Sequence, residues 1–273
     1  RRARRRTATV TRRALLTGVA GAAGLIALVT VLSRVLGFGR WFVHAGTVGP
    51  TVTGTAYTTA NYLPNILFEV VAGGALAGAV VPLLAGPLAR RMAHDVDRIA
   101  SALLTWTVLV LTPGALALAL WSRPLVGALI RPADPGADPE LVAATTELAA
   151  TLLVVFSPQV VLYGVGVVLT GVLQAQRRFL WPAAAPIAST LVVSASYLVF
   201  RSLAGTAVND PGALSTAAVA WLGWGTTAGV AAMTLPLVVP VLRSGVRLRP
   251  TVRFPPGLGP RAARLALAGV GGL

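Results

Sequence analysis

From Ala14 to Ser33 the chain runs twenty residues without a single charge, and blocks of this kind recur along most of its length. About 20 consecutive apolar residues suffice for a helix to cross the hydrocarbon core of a bilayer. The blocks are too long for the strands of a lipid-embedded barrel and do not alternate as such strands do. Charged residues make up 11% of the sequence, against about 25% in a soluble domain. The fold class that follows is all-α, a polytopic transmembrane helix bundle.

The blocks predict six spans and the start of a seventh. They cover about Ala14–Phe42, Thr55–Leu88, Ile99–Trp121, Leu141–Leu173, Trp181–Phe200 and Ala213–Leu242, with a further helix beginning near Arg261. The organisation expected is a basic tail (1–13), a six-helix lobe (14–242), a linker (243–260) and the opening of a seventh helix (261–273), so that the chain reads as a fragment holding one lobe. The basic N-terminus before an apolar run is partly like a signal peptide, but the run is too long for an h-region and no convincing cleavage site follows.

All 23 basic residues are arginine, and the net charge is +15. A basic total is also the footprint of nucleic-acid binding. Here the arginines flank apolar blocks, so membrane topology accounts for them and no nucleic-acid partner is expected. The tail and alternate connections (90–98, 177–178, 243–264) hold 18 arginines, and the opposite loops hold three: Arg123, Arg131 and Arg201. Arginine concentrates in short cytoplasmic loops. The N-terminus is therefore expected in the cytoplasm of a multi-pass protein of the cell membrane. Trp41, Trp121 and Trp181 fall at predicted span ends, where aromatic residues anchor helices. Arg177 and Arg178 read as topology determinants at the cytoplasmic surface.

Two arginines fit neither set. Arg34 and Arg40 follow the first uncharged run directly. They sit either at the headgroup level, snorkelling, or at a ligand site at membrane depth. Residues six apart do not share a helix face, but Gly37 and Gly39 would loosen the helix end and let both guanidiniums converge. The planar guanidinium bonds two phosphate oxygens at once, so such a pair suits a pyrophosphate. In the second span Tyr57, Asn61, Asn65, Glu69 and Gly73 recur every four residues and share one face. That stripe lines a cavity or serves as interhelical glue. Glu69, read as deep in the span, favours the cavity, since an unpaired carboxylate is costly in lipid. Pro64 is expected to kink the helix within the stripe, and Gly73, Gly74 and Gly78 to allow close packing. His44 and His94 carry no assigned role. No cysteine, metal-ligand spacing, phosphate-binding loop or catalytic constellation is present, so neither cofactor nor metal is expected.

The segment Ser33-Arg34-Val35-Leu36-Gly37-Phe38, closed by Arg40, resembles the first-helix signature of the lipid II flippases, the MurJ/MviN family. Ala60-Asn61-Tyr62-Leu63-Pro64-Asn65 and Val80-Val81-Pro82-Leu83-Leu84 resemble its second-helix signature, and Phe179-Leu180-Trp181-Pro182 with Ala185-Pro186 the opening of its fifth helix. The resemblance runs in order across about residues 30–190. It implies the N-terminal lobe of an exporter-type flippase of the multidrug/oligosaccharidyl-lipid/polysaccharide exporter superfamily. Such a protein moves the undecaprenyl-pyrophosphate-linked peptidoglycan precursor from the inner to the outer leaflet by alternating access, with no chemical step. It implies Arg34 and Arg40 on the pyrophosphate, Asn61, Asn65 and Glu69 lining the cavity, and Gly37, Pro64 and Gly74 as flexing points. Membrane lipids, a coupling cation or proton and cell-wall synthesis proteins are the partners expected. The pattern departs at Phe68, where a third arginine is usual, and at Trp41, Thr55 and Gly73, where acids are usual; these changes resemble an actinobacterial-type branch. The alternatives are an exporter of another lipid-linked oligosaccharide and a non-transporting scaffold for cell-wall enzymes.

Overall fold

The structure, a computed structural model, describes residues 2–69, 77–130 and 138–270. Among them every regular element is helical. The helices are α1 (Arg2–Thr47), α2 (Val52–Glu69), α3 (Ala77–Ala89), α4 (Ala93–Leu120), α5 (Ser122–Leu129), α6 (Pro139–Ala175), α7 (Leu180–Ala204), α8 (Thr216–Thr234), α9 (Val238–Arg243) and α10 (Leu258–Val270). Five segments are long and apolar enough to cross a membrane: Ala23–Thr47, Ala93–Leu120, Pro139–Ala175, Leu180–Ala204 and Thr216–Arg243.

The second expected span is described over Val52–Glu69 (α2) and Ala77–Ala89 (α3); residues 70–76 between them, with Gly73 and Gly74, lie outside the described residues. One expectation changes: the first helix does not loosen at Gly37 and Gly39. It runs unbroken to Thr47, and neither glycine has positive φ. Arg34 and Arg40 therefore stand within the Ala23–Thr47 segment rather than beyond a span that ends at Ser33.

The 37-residue α6 is the spine. Asp138 caps it by accepting from the Glu140 N–H at 3.0 Å, and Pro139 occupies the first turn, where its missing N–H costs nothing. It packs against α2, α3, α4, α5, α7, α8 and α9. Its N-terminal half (Leu148, Leu152, Leu153, Phe156) enters one apolar cluster with Ala56, Ala60, Tyr197 and Leu222. Its C-terminal half (Val168, Leu169, Val172, Leu173) enters a second with Val80, Leu84, Ile99 and Val241. By contrast α1 leans on the bundle chiefly through α7.

Small residues let the backbones approach, as membrane helix packing requires when lipid is as apolar as leucine. A Cβ at Gly171 of α6 would fall 2.6 Å from Val80 Cγ1 and 2.7 Å from Val80 Cβ of α3. Gly171→Ala is expected to destabilise the bundle by about 1–3 kcal/mol through overpacking, read as a lowered thermal midpoint in detergent. Val80→Ala in the same chain should restore most of the loss; an unchanged midpoint in the single variant would contradict the contact.

Candidate functional site

A groove of about 780 Å³ lies between α1 and the start of α7. Thr30, Ser33, Arg34, Gly37 and Arg40 line it from α1, and Pro182, Ala183, Pro186 and Thr190 from α7. Arg34 and Arg40, although about 120° apart on an ideal helix, thus reach the same space. The long side chains achieve this without a break in the helix. Both residues are exposed to that space. Among the described residues the one ion pair is Arg123–Glu147, at 2.7 Å, so neither groove arginine has a carboxylate partner there.

Arg40 and His44 are four residues apart and share a helix face. The His44 ring packs 5.6 Å from Tyr57 and 5.2 Å, edge-on, from Tyr197. The two tyrosine hydroxyls hydrogen-bond to each other at 2.8 Å, and Tyr57 Oη also meets Thr226 Oγ1 at 3.3 Å. The Thr226 hydroxyl donates to the Leu222 carbonyl at 2.7 Å. This network ties α2, α7 and α8 together beneath the groove. Nearby, Gln159 Nε2 donates to Thr227 Oγ1 at 2.9 Å, and Thr227 donates to the Val155 carbonyl at 2.9 Å, joining α6 to α8.

The polar stripe of α2 divides in two. Tyr57 is buried and acts as interhelical glue. Asn61 and Asn65 are half-buried, and Asn61 Oδ1 is a buried acceptor without a partner. Glu69 is exposed. None of these residues lines the α1–α7 groove. Pro64 is buried within a continuous α2.

A second cavity, of about 300 Å³, lies on the other side of α7 between α6 and the end of α8, and it shares Pro182 and Pro186 with the groove. Phe68, at the position where the resemblance implies a third arginine, closes it by packing on Tyr163 with ring centroids 4.4 Å apart. An aromatic wall thus stands at the position where the sequence departs from the family pattern. Sequence reasoning missed His44, Tyr197, Thr226 and Gln159. The i,i+4 relation of Arg40 and His44 was a usable signal. The other three announce themselves only through contacts between distant helices.

Tyr57→Phe and Tyr197→Phe are each expected to cost about 0.5–1.5 kcal/mol, with a coupling near 0.6 kcal/mol in a double-mutant cycle. Thermal unfolding of the four proteins in detergent measures it, and strictly additive effects would show that the hydroxyls do not interact.

The family model described as "Lipid II flippase MurJ" matches residues 44–273. A Synechocystis protein described as a probable lipid II flippase MurJ is 30% identical over 231 residues, which cover 84% of this chain and 41% of that one. A Burkholderia cenocepacia lipid II flippase MurJ is 31% identical over 162 residues, covering 58% of this chain and 30% of the relative. The chain thus spans less than half the length of these relatives. A solved lipid II flippase MurJ in an inward closed conformation superposes with a TM-score of 0.64 at 18% identity. The match covers 90% of this chain and 46% of that structure and shows a common fold.

Proposed function

The chain belongs to the lipid II flippase MurJ family, and on that premise we propose that its α1–α7 groove receives the pyrophosphate of the lipid-linked peptidoglycan precursor during passage from the inner to the outer leaflet. The observation that carries this reading is the pair of guanidiniums, Arg34 and Arg40, converging on one groove inside an apolar segment, neither of them in an ion pair among the described residues. A charge held at membrane depth without a partner is costly. An anionic ligand removes that cost when it binds, and two forked donors hold a pyrophosphate in a fixed orientation.

The reading has no chemical step. Arg34 and Arg40 bind the headgroup as the protein exchanges access between the two leaflets. Asn61 and Asn65 lie on α2 outside the groove and, with the unpartnered Asn61 Oδ1, offer further polar contacts along the path of the precursor, and Gly37 and Pro64 are the points at which α1 and α2, continuous in this structure, flex during the cycle. The arginine-rich connections and the N-terminus face the cytoplasm. The cycle is driven by the membrane potential or an ion gradient, with Glu69 as the group that takes up the coupling cation or proton. Moving one charge through 100 mV is worth about 2.3 kcal/mol, enough to bias such a cycle.

The test is rescue of flippase-depleted cells by the gene that encodes this chain. Arg34→Ala and Arg40→Ala are each expected to weaken precursor binding at least tenfold, about 1.5–3 kcal/mol for a hydrogen bond to a charged group, and to fail to support growth at normal membrane levels. Arg→Lys variants should fall between, since lysine keeps the charge and loses the fork. Normal rescue by both alanine variants would overturn the reading. Precursor protection in vesicles then separates lipid II from other lipid-linked oligosaccharides.

A further inference from the structure

After α9 the chain passes along α4 before entering α10, and it is held there by a regular set of hydrogen bonds. The Arg247 N–H donates to Asp97 Oδ1 at 2.9 Å, the Arg249 N–H to Ser101 Oγ at 3.0 Å, and the Thr251 N–H to Thr105 Oγ1 at 3.1 Å. Trp106 Nε1 donates to the Val252 carbonyl at 3.1 Å. Alternate residues of the strap meet every fourth residue of the helix. Two residues of extended chain advance about 6.6 Å and four of helix about 6.0 Å, so the two periods stay in step for three rungs. The helix side chains thereby satisfy backbone groups that a sheet partner would otherwise have to satisfy.

This docking builds two neighbouring cavities on the same two elements. The first, about 250 Å³, lies at the first turns of α4 and is lined by His94, Asp97, Arg98, Ser101, Arg247 and Arg249. Three arginines converge on it, none of them in an ion pair among the described residues, and its one carboxylate, Asp97, already accepts from the Arg247 N–H. The second, about 730 Å³, continues towards the middle of α4 and is apolar, walled by Leu103, Trp106, Val110, Val252, Phe254 and Ala263. From Arg98 to Trp106 along the helix is about 12 Å. The charged cavity thus lies at the end of an apolar span and the apolar slot towards its centre, the order in which a phospholipid presents its headgroup and tail.

We propose that the α4–strap surface is a binding site for an anionic phospholipid, its phosphate on Arg98, Arg247 and Arg249 and one acyl chain in the slot beside Trp106 and Val252. Charge complementarity selects the occupant. A zwitterionic lipid brings a cation into a cavity already rich in them, whereas basic pockets on the cytoplasmic side of membrane proteins suit anionic headgroups. The site is separate from the α1–α7 groove, and it stands whether or not that groove carries a pyrophosphate.

The test uses the chain in phosphatidylcholine vesicles containing phosphatidylglycerol, extracted in mild detergent, with retained lipid counted by native mass spectrometry. Phosphatidylglycerol should be retained over phosphatidylcholine. Arg247→Gln/Arg249→Gln should reduce that retention about tenfold, because the side chains are lost while the backbone rungs remain. The charge-matched Arg177→Gln/Arg178→Gln variant should retain the lipid as before. Ala263→Trp, which fills the slot at an exposed position and leaves the arginines intact, should also reduce retention, and free glycerol phosphate should fail to displace the lipid. Equal losses in the two arginine pairs, no preference for phosphatidylglycerol, retention unaffected by Ala263→Trp, or displacement by glycerol phosphate would each overturn the proposal.

Discussion

Polar groups that enter hydrocarbon must find partners inside the protein, and the bundle is arranged around that requirement. Hydroxyls within the helices turn back on their own backbone, as Thr105 does to Ser101, Thr145 to Leu141 and Ser157 to Leu153. Larger groups pair across helices, Tyr57 with Tyr197 and Thr226, and Gln159 with Thr227. The strap extends the rule to main chain, with α4 hydroxyls and a carboxylate standing in for a neighbouring strand. Against this background the exceptions carry the meaning. Arg34 and Arg40 have no ion-pair partner among the described residues, and Asn61 Oδ1 is one of several buried polar atoms there without a hydrogen bond.

The same requirement explains how much the sequence disclosed. A span must be about 20 apolar residues long whatever it packs against, so α4, α6, α7 and the α8–α9 segment lie close to their expected positions. In the second span, the face that places Tyr57 in the core and Asn61 beside it lowers the apolarity that marks a crossing helix. The convergence of Arg34 and Arg40 was legible as an outcome but not as a cause. A break at the glycines was expected, whereas α1 stays regular and side-chain reach closes the gap. Tyr197, Thr226 and the strap rungs left no local trace, since each depends on which residue of a distant helix lies opposite.

The start of α7 links these features. Pro182 and Pro186 form one wall of the arginine groove and one wall of the Phe68–Tyr163 cavity, while the same helix packs on α8 and carries α1. The groove is therefore bounded on one side by a helix fixed in the core and on the other by a helix held chiefly through that single neighbour.

Phe68 bears on what the groove is suited to hold. A pyrophosphate linked to a lipid at one end and a sugar at the other carries two negative charges, one on each phosphorus. Arg34 and Arg40 supply two positive charges, so the pair balances such a diester without a third cation. A further guanidinium would leave an excess charge at membrane depth once the ligand was bound, at a cost that an aromatic ring does not incur. The Phe68–Tyr163 pair fills that place with an apolar surface next to the groove. On the proposed reading, charge balance with the diester, rather than the largest number of cations, is the condition that two arginines and Phe68 satisfy.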